Sequence, residues 1–295
     1  MNILVTGGTG FIGKALIPAL QDRGHDISVL TRRCDHPIAG VDYVQELAAL
    51  NSNIDAVINL AGASLADKRW STAYKQEIVA SRVDLTRALG DYFHSADVQP
   101  SVWLNASAIG FYGPRTDEAL AEGSSSGEGF AASLCRDWEA AATEAAGSAR
   151  LCLMRLGVVL DVDGGAYPQM AQPFRMGVAN WMGDGQQWLS WVHRQDAVSA
   201  FCFALESPKL TGPVNVTAPN PVTSRDFCHA MRQVHRTFLA IPMPGFVMRA
   251  MVGEMADELL LTGQRVLPAA LAAAGFEFAL PGLASALERI EAPSP

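Results

Sequence analysis

The sequence predicts an α/β fold, a doubly wound parallel sheet followed by a helical C-terminal tail. Over the first 165 residues, short β-branched runs alternate with helical patterns, which is typical of βαβ units and a parallel sheet. The first of these runs ends in a glycine-rich turn that opens the first helix. With 295 residues, 49% of them hydrophobic and 18% charged, the chain is long enough to bury a sizeable core.

Apolar runs and periodic segments place the predicted elements along the chain. Strands are predicted over 2–7, 26–32, 55–62, 101–107 and 150–160, with one more in "GPVNVTAP" (212–219). Helices are predicted over 11–23, 71–94, 130–146 and 195–207, and the tail from Pro244 onward is mostly helical. We expect Gly24 to end the first helix as its C′ glycine, and Pro18 to kink that helix or loosen a turn.

A glycine-, serine- and acid-rich segment, 113–129, separates the fourth strand from the third helix. It is too polar to belong to the core and long for a connection. Such a segment is often a mobile lid, and a plain surface excursion explains it equally well.

Charge and cysteine patterns exclude several classes of protein. The net charge is −8 and no basic cluster exceeds the pair Arg32–Arg33, so we expect no nucleic-acid partner. The start "MNILVTGG" has no leader pattern and no run of 18 apolar residues exists, so we expect no membrane partner. The five cysteines, at 34, 135, 152, 202 and 228, lack metal-ligand spacing. They predict reduced thiols, no metal site and a cytoplasmic protein.

The turn "GGTGFIG" carries the strongest motif. It satisfies G-x-x-G-x-x-G from Gly7 and G-x-G-x-x-G from Gly8, directly after a strand and before a helix. Glycines let the backbone approach a pyrophosphate, and the helix N-terminus adds N–H groups and a partial positive charge. The motif predicts a Rossmann-type dinucleotide site, although a glycine-rich turn that binds nothing is the alternative. The site residues predicted in this turn are Gly7, Thr9, Gly10, Phe11, Ile12 and Gly13.

The end of the second strand indicates which dinucleotide binds. An NAD protein usually has Asp or Glu there to bind the ribose hydroxyls, whereas this chain has Thr31, Arg32 and Arg33. Two guanidiniums suit a 2′-phosphate, so the sequence favours NADP(H). The alternative is a pair of solvated surface arginines.

The glycine turn, "INLAG", "NASAIGFYG" and "GDGQQWLSWVHRQDAVSA" together resemble the extended short-chain dehydrogenase/reductase (SDR) superfamily. More closely, "EIVASRV" (77–83), "LCRDWE" (134–139), "RLGVVLDVDGGA" (155–166) and "GEMADELLLTGQRVLPAALAAAGFEF" (253–278) resemble the atypical YfcH-type epimerase family with a C-terminal DUF1731 domain. The resemblance implies an NADP-binding domain over 1–243, with a smaller substrate-side region around 166–195. A small helical C-terminal domain is implied over 244–291.

The resemblance also implies a catalytic apparatus, which this chain alters. SDR enzymes use a Ser, a Tyr that transfers the proton, and a Lys four residues later that lowers the pKa of the Tyr. Ser107 fits the serine position, but Cys135 and Glu139 stand where Tyr-x-x-x-Lys should lie, and none of the four lysines follows a tyrosine by four. A carboxylate raises the pKa of a nearby thiol, which argues against a thiolate nucleophile. Cys135 and Glu139 are either structural or line the pocket.

Two further residues are candidates for proton transfer. Tyr112 follows Ser107 by five residues on the same turn. His193 lies in a segment that borders the substrate in extended SDRs, and its ordinary pKa suits acid–base work near neutrality. The alternatives are an ordinary turn tyrosine and a histidine near a helix start. Ser107, Tyr112 and Cys135 are the predicted catalytic set.

Further cofactor contacts follow from the resemblance. The end of the third strand passes under the cofactor in such folds, the next helix has two positions on the cofactor side, and the end of the fifth strand approaches the nicotinamide amide. A surface salt bridge is the alternative for Arg82. The residues at these positions are Leu60, Ala61, Gly62, Glu77, Arg82, Gly157 and Val158.

Two functions remain open on the sequence. The first is an NADP(H)-dependent oxidoreductase or nucleotide-sugar epimerase-like enzyme with altered acid–base groups. The second is an NADP(H)-binding regulatory or scaffold protein without turnover, which the missing Tyr–Lys pair permits. The expected partners are a small molecule, either a sugar nucleotide or a carbonyl compound, and a second copy of the chain in a homodimer.

Overall fold

The computed structural model describes residues 1–33, 35–50, 53–95 and 99–292. The strands in these ranges are β1 (Asn2–Thr6), β2 (Asp26–Leu30), β3 (Val41–Val44), β4 (Ala56–Asn59), β5 (Val102–Ala108), β6 (Ala119–Leu120), β7 (Arg150–Leu156), β8 (Val158–Asp161), β9 (Gly164–Gly165), β10 (Val178–Met182), β11 (Trp188–Leu189), β12 (Trp191–His193), β13 (Gly212–Val216), β14 (Val222–Thr223), β15 (Leu239–Met243) and β16 (Arg265–Val266).

The helices in the same ranges are α1 (Gly13–Gln21), α2 (Thr72–Val79), α3 (Leu85–His94), α4 (Phe130–Ala146), α5 (Tyr167–Arg175), α6 (Arg194–Glu206), α7 (Ser224–Val234), α8 (Gly245–Val252), α9 (Ala269–Ala273) and α10 (Leu283–Glu291). A π-helical segment, Ala80–Asp84, joins α2 to α3, and a second one spans Ala256–Leu260. Single 3₁₀ turns lie at Leu47–Ala49 and Ile109–Tyr112. Within the described residues, no helix is both long and apolar enough to cross a membrane.

A seven-stranded sheet confirms the predicted fold class. Its strand order is β13-β7-β5-β4-β1-β2-β3, and the pairs β1–β2, β2–β3, β1–β4 and β4–β5 are parallel. From β1 the chain runs outward through β2 and β3 and then returns to β4 on the other side of β1. The strand order therefore reverses between β1 and β4, and ligands of doubly wound sheets bind at the carboxyl ends of strands at such a point.

The chain divides into two compact units that interleave along the sequence. The first comprises Met1–Ala108, Leu134–Arg155 and Val198–Val214, and the second comprises Ile109–Ser133, Leu156–Ala197 and the chain from Asn215 onward. The sequence predicts two domains that follow one another along the chain, with a boundary between 243 and 244. The two compact units do not follow one another in this way, because each is assembled from several segments of the chain.

The first unit is built on strands that are buried along their length. All four residues of β4 and the last four of β1 are buried, as expected for a parallel sheet covered on both faces. Helix α1 contains Pro18 and is followed by Gly24, whose φ is +76°. The amide of His25 donates to the carbonyl of Leu20 at 3.3 Å, which completes a Schellman motif and confirms the predicted C′ glycine.

The second unit has its own apolar core around Tyr167, Phe174 and Trp191. Leu287 of α10 packs into this core, so the C-terminal helix belongs to it. The polar segment 113–129 is held here as well, because β6 pairs with β16 and the Glu122 carboxylate accepts from two backbone amides at 3.0 Å each.

Two predicted elements differ from the structure. The strand predicted over 150–160 is two strands, because the amide of Gly157 donates to Val216 whereas that of Val158 donates to Ser190, so the pairing partner changes between them. The helix predicted over 71–94 contains the π-helical segment Ala80–Asp84, and β3 is absent from the prediction. Cys135, Cys152, Cys202 and Cys228 are free and buried, and Cys34 lies outside the described residues.

Candidate cofactor and active site

The glycine turn joins β1 to α1 where the strand order reverses. Gly7 has a φ of +69°, and the amide of Gly10 donates to the Gly7 carbonyl at 3.0 Å. A Cβ atom at Gly7 would lie 2.7 Å from the carbonyl carbon of Leu60, and one at Gly13 would lie 2.6 Å from Cα of Gly8. No side chain fits between the turn and its neighbours, so these positions require glycine. The turn leads into the N-terminus of α1, which favours a negatively charged ligand.

The other predicted cofactor residues of the first unit lie at neighbouring strand ends. Arg32 and Arg33 follow β2 and are exposed, and the Thr31 hydroxyl donates to the Arg33 carbonyl at 2.8 Å. After β4, the amide of Leu60 donates to the Thr6 carbonyl at 3.1 Å. Because β1, β2 and β4 are parallel neighbours, the structure brings these strand ends and the glycine turn to one edge of the sheet.

A buried polar network fixes this edge. The hydroxyl of Thr6 donates to Oδ1 of Asn59 at 2.6 Å, and Nδ2 of Asn59 donates to Oδ1 of Asn105 at 2.7 Å and to the Thr86 hydroxyl at 2.8 Å. All four side chains are at most 1% exposed. Satisfied networks of this kind rigidify the backbone that carries them.

The Glu139 carboxylate, which the sequence resemblance assigns to the position of the SDR lysine, is bound in an ion pair. Nε and Nη2 of Arg155 each donate to one of its oxygens at 2.8 Å, and the Ser107 hydroxyl donates to it at 2.7 Å. The side chains of Arg155 and Glu139 are 3% and 9% exposed. The carboxylate therefore has a bidentate partner, and the hydroxyl proton of Ser107 is engaged by the protein itself.

Cys135 lies one helical turn before Glu139 and is buried. Its Sγ is 3.6 Å from the carbonyl oxygen of Ala108. Burial, and after it the charge of the Glu139 carboxylate, raises the pKa of the thiol to about 11. The thiol is protonated at neutral pH, which agrees with the expectation that Cys135 is not a thiolate nucleophile.

Tyr112 and His193 belong to the second unit, where both are already hydrogen-bonded. Tyr112 is fully buried and its hydroxyl donates to Oδ1 of Asn215 at 2.7 Å. Nδ1 of His193 accepts from the amide of Gln195 at 3.0 Å, and burial lowers the pKa of its imidazole. Both arrangements are those of side chains that stabilise their own surroundings.

The remaining predicted cofactor residues divide between the units. Glu77 is exposed and pairs with Lys68 at 3.4 Å, whereas the guanidinium of Arg82 packs against Gly62. In the second unit, a Cβ atom at Gly157 would lie 2.6 Å from the carbonyl oxygen of Ser190, so the backbone after β7 also requires glycine at that position.

Arg155 is the site residue that sequence reasoning missed. It lies in β7 within the apolar run "RLCLMRLGVVL", and a charged residue inside such a run is the signal that was available. A buried arginine requires a partner, but the sequence does not show which carboxylate lies opposite. Among the described residues, no group of three or more His, Cys, Asp or Glu side chains is placed to bind a metal ion.

Comparison with known proteins identifies the family. The family model described as "NAD dependent epimerase/dehydratase family" matches residues 3–217, and the "Domain of unknown function (DUF1731)" matches residues 243–290. This chain belongs to the NAD-dependent epimerase/dehydratase family. It is 39% identical to the epimerase family protein Mb2239 of Mycobacterium bovis over 281 residues, which is 94% of this chain and 93% of the relative.

Solved structures agree with the fold described above. The crystal structure of human epimerase family protein SDR39U1 (isoform 2) with NADPH is 34% identical, covers 100% of both chains and has a TM-score of 0.89. UDP-glucuronic acid 4-epimerase from Bacillus cereus, in complex with UDP-glucuronic acid and NAD, covers 99% of this chain with a TM-score of 0.76. At 16% identity, this second likeness shows the fold alone.

Proposed function

We propose that this epimerase-family chain binds NADPH at the glycine turn, with Arg32 and Arg33 on the 2′-phosphate. The observation that carries the proposal is the pair of exposed guanidiniums after β2, on the same sheet edge as a turn that only glycine can form. The human relative of 34% identity, crystallised with NADPH, supports it. The backbone of Leu60, Ala61 and Gly62 is assigned to the cofactor on the same grounds.

Exchange of the two arginines tests this assignment. The double variant Arg32→Gln, Arg33→Gln should weaken NADPH binding by about a hundredfold or more, because it removes two charge-assisted hydrogen bonds that each contribute roughly 1.5–3 kcal/mol. NADH lacks the 2′-phosphate, so its affinity should change little. Binding is followed by fluorescence of the reduced nicotinamide, with Arg87→Gln as the control for loss of an exposed arginine elsewhere. An equal loss for both cofactors would contradict the proposal.

We further propose that the chain does not use the SDR proton relay. Glu139 replaces the lysine and is bound by Arg155, Cys135 replaces the tyrosine with a thiol whose pKa is about 11, and no Tyr-x-x-x-Lys exists in the sequence. A side chain that transfers a proton efficiently needs a pKa near the working pH. A protein that binds NADPH without turnover is the function that the geometry supports best.

The second candidate is an oxidoreductase in which Ser107 orients a carbonyl or hydroxyl group. Its position at the carboxyl end of β5 favours this reading. NADPH oxidation is measured against a panel of carbonyl compounds and sugar nucleotides, with wild type and Ser107→Ala. Turnover that depends on Ser107 would establish the enzyme and overturn the proposal of a binding protein without turnover. Tight NADPH binding with no turnover would support the binding protein.

A further inference from the structure

The second unit carries an exposed apolar surface, which we call the β15–α8 face. It runs along the chain from the residue before β15 to the last turn of α8, and it includes the residue that follows α5. The start of the face is joined to that residue's neighbour, because the amide of Phe238 donates to the Gly177 carbonyl at 3.0 Å and a Cβ atom at Gly177 would collide with the Phe238 ring. The large apolar side chains of the face are Met176, Phe238, Leu239, Ile241, Phe246 and Met251.

The apolar area of this face matches what a stable dimer needs. Phe238 and Phe246 are 84% and 72% exposed. At about 150–250 Å² for a whole phenylalanine, they expose roughly 250–400 Å² between them. A stable interface buries about 800 Å² on each partner, and about two thirds of it is apolar in homodimers. The two phenylalanines therefore supply about half of the apolar area or more, and the four other side chains of the face are placed to supply the rest.

The strand edge within the face is protected against open-ended pairing. In the part of the chain that the structure describes, β15 pairs with β10 alone. The amide of Gly183 donates to the Met243 carbonyl at 2.9 Å, so Met243 faces β10, and Pro242 and Pro244 on either side of it face the outer edge. Proline has no N–H group, and prolines at an exposed edge prevent the addition of further strands. The face is therefore suited to a closed contact between side chains.

The two ends of the face, in chain order, carry opposite charges. Arg232 and Arg236 are exposed before β15, whereas Glu254 and Asp257 are exposed after α8, where Asp257 pairs with Arg249 at 2.9 Å. A two-fold axis through the middle of the face sets the arginine end of one copy against the acidic end of the other, which is the self-complementarity that an isologous contact requires. A face that binds a membrane surface carries mainly basic residues around its apolar centre.

We propose that the β15–α8 face is the contact between two copies of this chain, related by a two-fold axis that sets Arg236 of one copy against Glu254 of the other. Phe238 and Phe246 of both copies form its apolar centre. This inference goes beyond the proposed function, because it does not depend on a bound cofactor.

The first test measures the mass of the protein by light scattering and the Kd of the dimer by sedimentation equilibrium. Wild type should be a dimer, and Phe246→Glu should raise the Kd at least about tenfold, because the change places a charge in the apolar centre twice, once from each copy. Val162→Glu is the matched control, since Val162 is an apolar side chain of the same unit, 42% exposed, that lies outside the face. Circular dichroism should show both variants folded, because both positions are exposed.

The second test mixes two charge variants. Arg236→Glu alone sets acid against acid at both ends of the dimer, and Glu254→Arg alone sets base against base, so each variant should dimerise more weakly than wild type. An equimolar mixture of the two should regain dimers, because the mixed pair has opposite charges at both contacts. A contact within one chain cannot produce this recovery.

A two-fold dimer of Kd in the micromolar range or below is expected for an interface of this size. Wild type that stays monomeric at roughly 100 µM, or Phe246→Glu that dimerises as well as Val162→Glu, overturns the proposal. Charge variants that dimerise like wild type, or a mixture that fails to recover, overturn the two-fold arrangement. Monomeric wild type that binds phosphatidylserine vesicles, with binding lost in Phe246→Glu, assigns the face to a lipid surface and also overturns the proposal.

Discussion

Removal of the Glu139 charge should destabilise the protein strongly, because the carboxylate is held in a buried ion pair with Arg155. In the wild type, two N–H donors of Arg155 each lie 2.8 Å from one oxygen of the Glu139 carboxylate. Glu139→Gln replaces one of these oxygens with an NH₂ group, which cannot accept from Arg155. With side chains only 3% and 9% exposed, water cannot replace the lost acceptor. Breaking one partner of such a buried pair costs about 3–5 kcal/mol, because the other charge is left uncompensated.

Thermal unfolding followed by circular dichroism measures this loss. A chain of this size loses roughly 2–4 °C of Tm per kcal/mol, so Glu139→Gln should lower the Tm by roughly 10 °C. Asp257→Asn is the matched control, because it breaks the ion pair of Asp257 with Arg249 at the surface. The side chains of Arg249 and Asp257 are 57% and 52% exposed, so this variant should lose less than about 1 kcal/mol of stability.

A double variant separates the contribution of the Glu139–Arg155 ion pair to stability from the cost of leaving one buried charge alone. Glu139→Leu with Arg155→Met removes both charges, so it should lose clearly less stability than the two single variants added together. A Glu139→Gln variant as stable as Asp257→Asn would refute the reasoning, because the carboxylate would then not be held by a buried partner.

Gly13→Ala should abolish NADPH binding, measured by fluorescence titration, because the added Cβ atom would collide with the turn backbone at Gly8. The control Gly123→Ala should bind normally, because a Cβ atom there has no neighbour within 4 Å, and equal binding by both variants would contradict the role of the turn. At pH 8, Cys135 should react with iodoacetamide at least about a hundredfold more slowly than an ordinary thiol, and its rate should rise as the pH approaches its pKa of about 11. Complete labelling within minutes at pH 8 would be inconsistent with the burial of this thiol. Glu258→Ala should cost about 1 kcal/mol in urea unfolding, because its carboxylate accepts from the amides of Phe130 and Ala131 at 3.2 Å each, while exposed Glu288→Ala should cost nothing measurable.

Local signals were enough to predict the fold class. The alternation of strands and helices and the turn from Gly7 to Gly13 are short-range patterns, and backbone sterics alone require glycine at Gly7 and Gly24, both at positive φ. The split at Gly157 was missed, because it depends on two carbonyls, those of Val216 and Ser190, that are distant in the sequence. An apolar run does not indicate which strands will pair with it.

The sequence by itself determined the doubly wound sheet, the glycine turn after β1, the arginines after β2 and the absence of any Tyr-x-x-x-Lys pattern, because each follows from neighbouring residues. Tertiary structure decided the surroundings of Cys135 and Glu139. Only folding brings Arg155 to Glu139, 16 positions apart, and Trp138 to Arg82, and the charge of a buried group depends on what surrounds it in three dimensions. The ion pair neutralises Glu139, and no pattern along the chain records that fact.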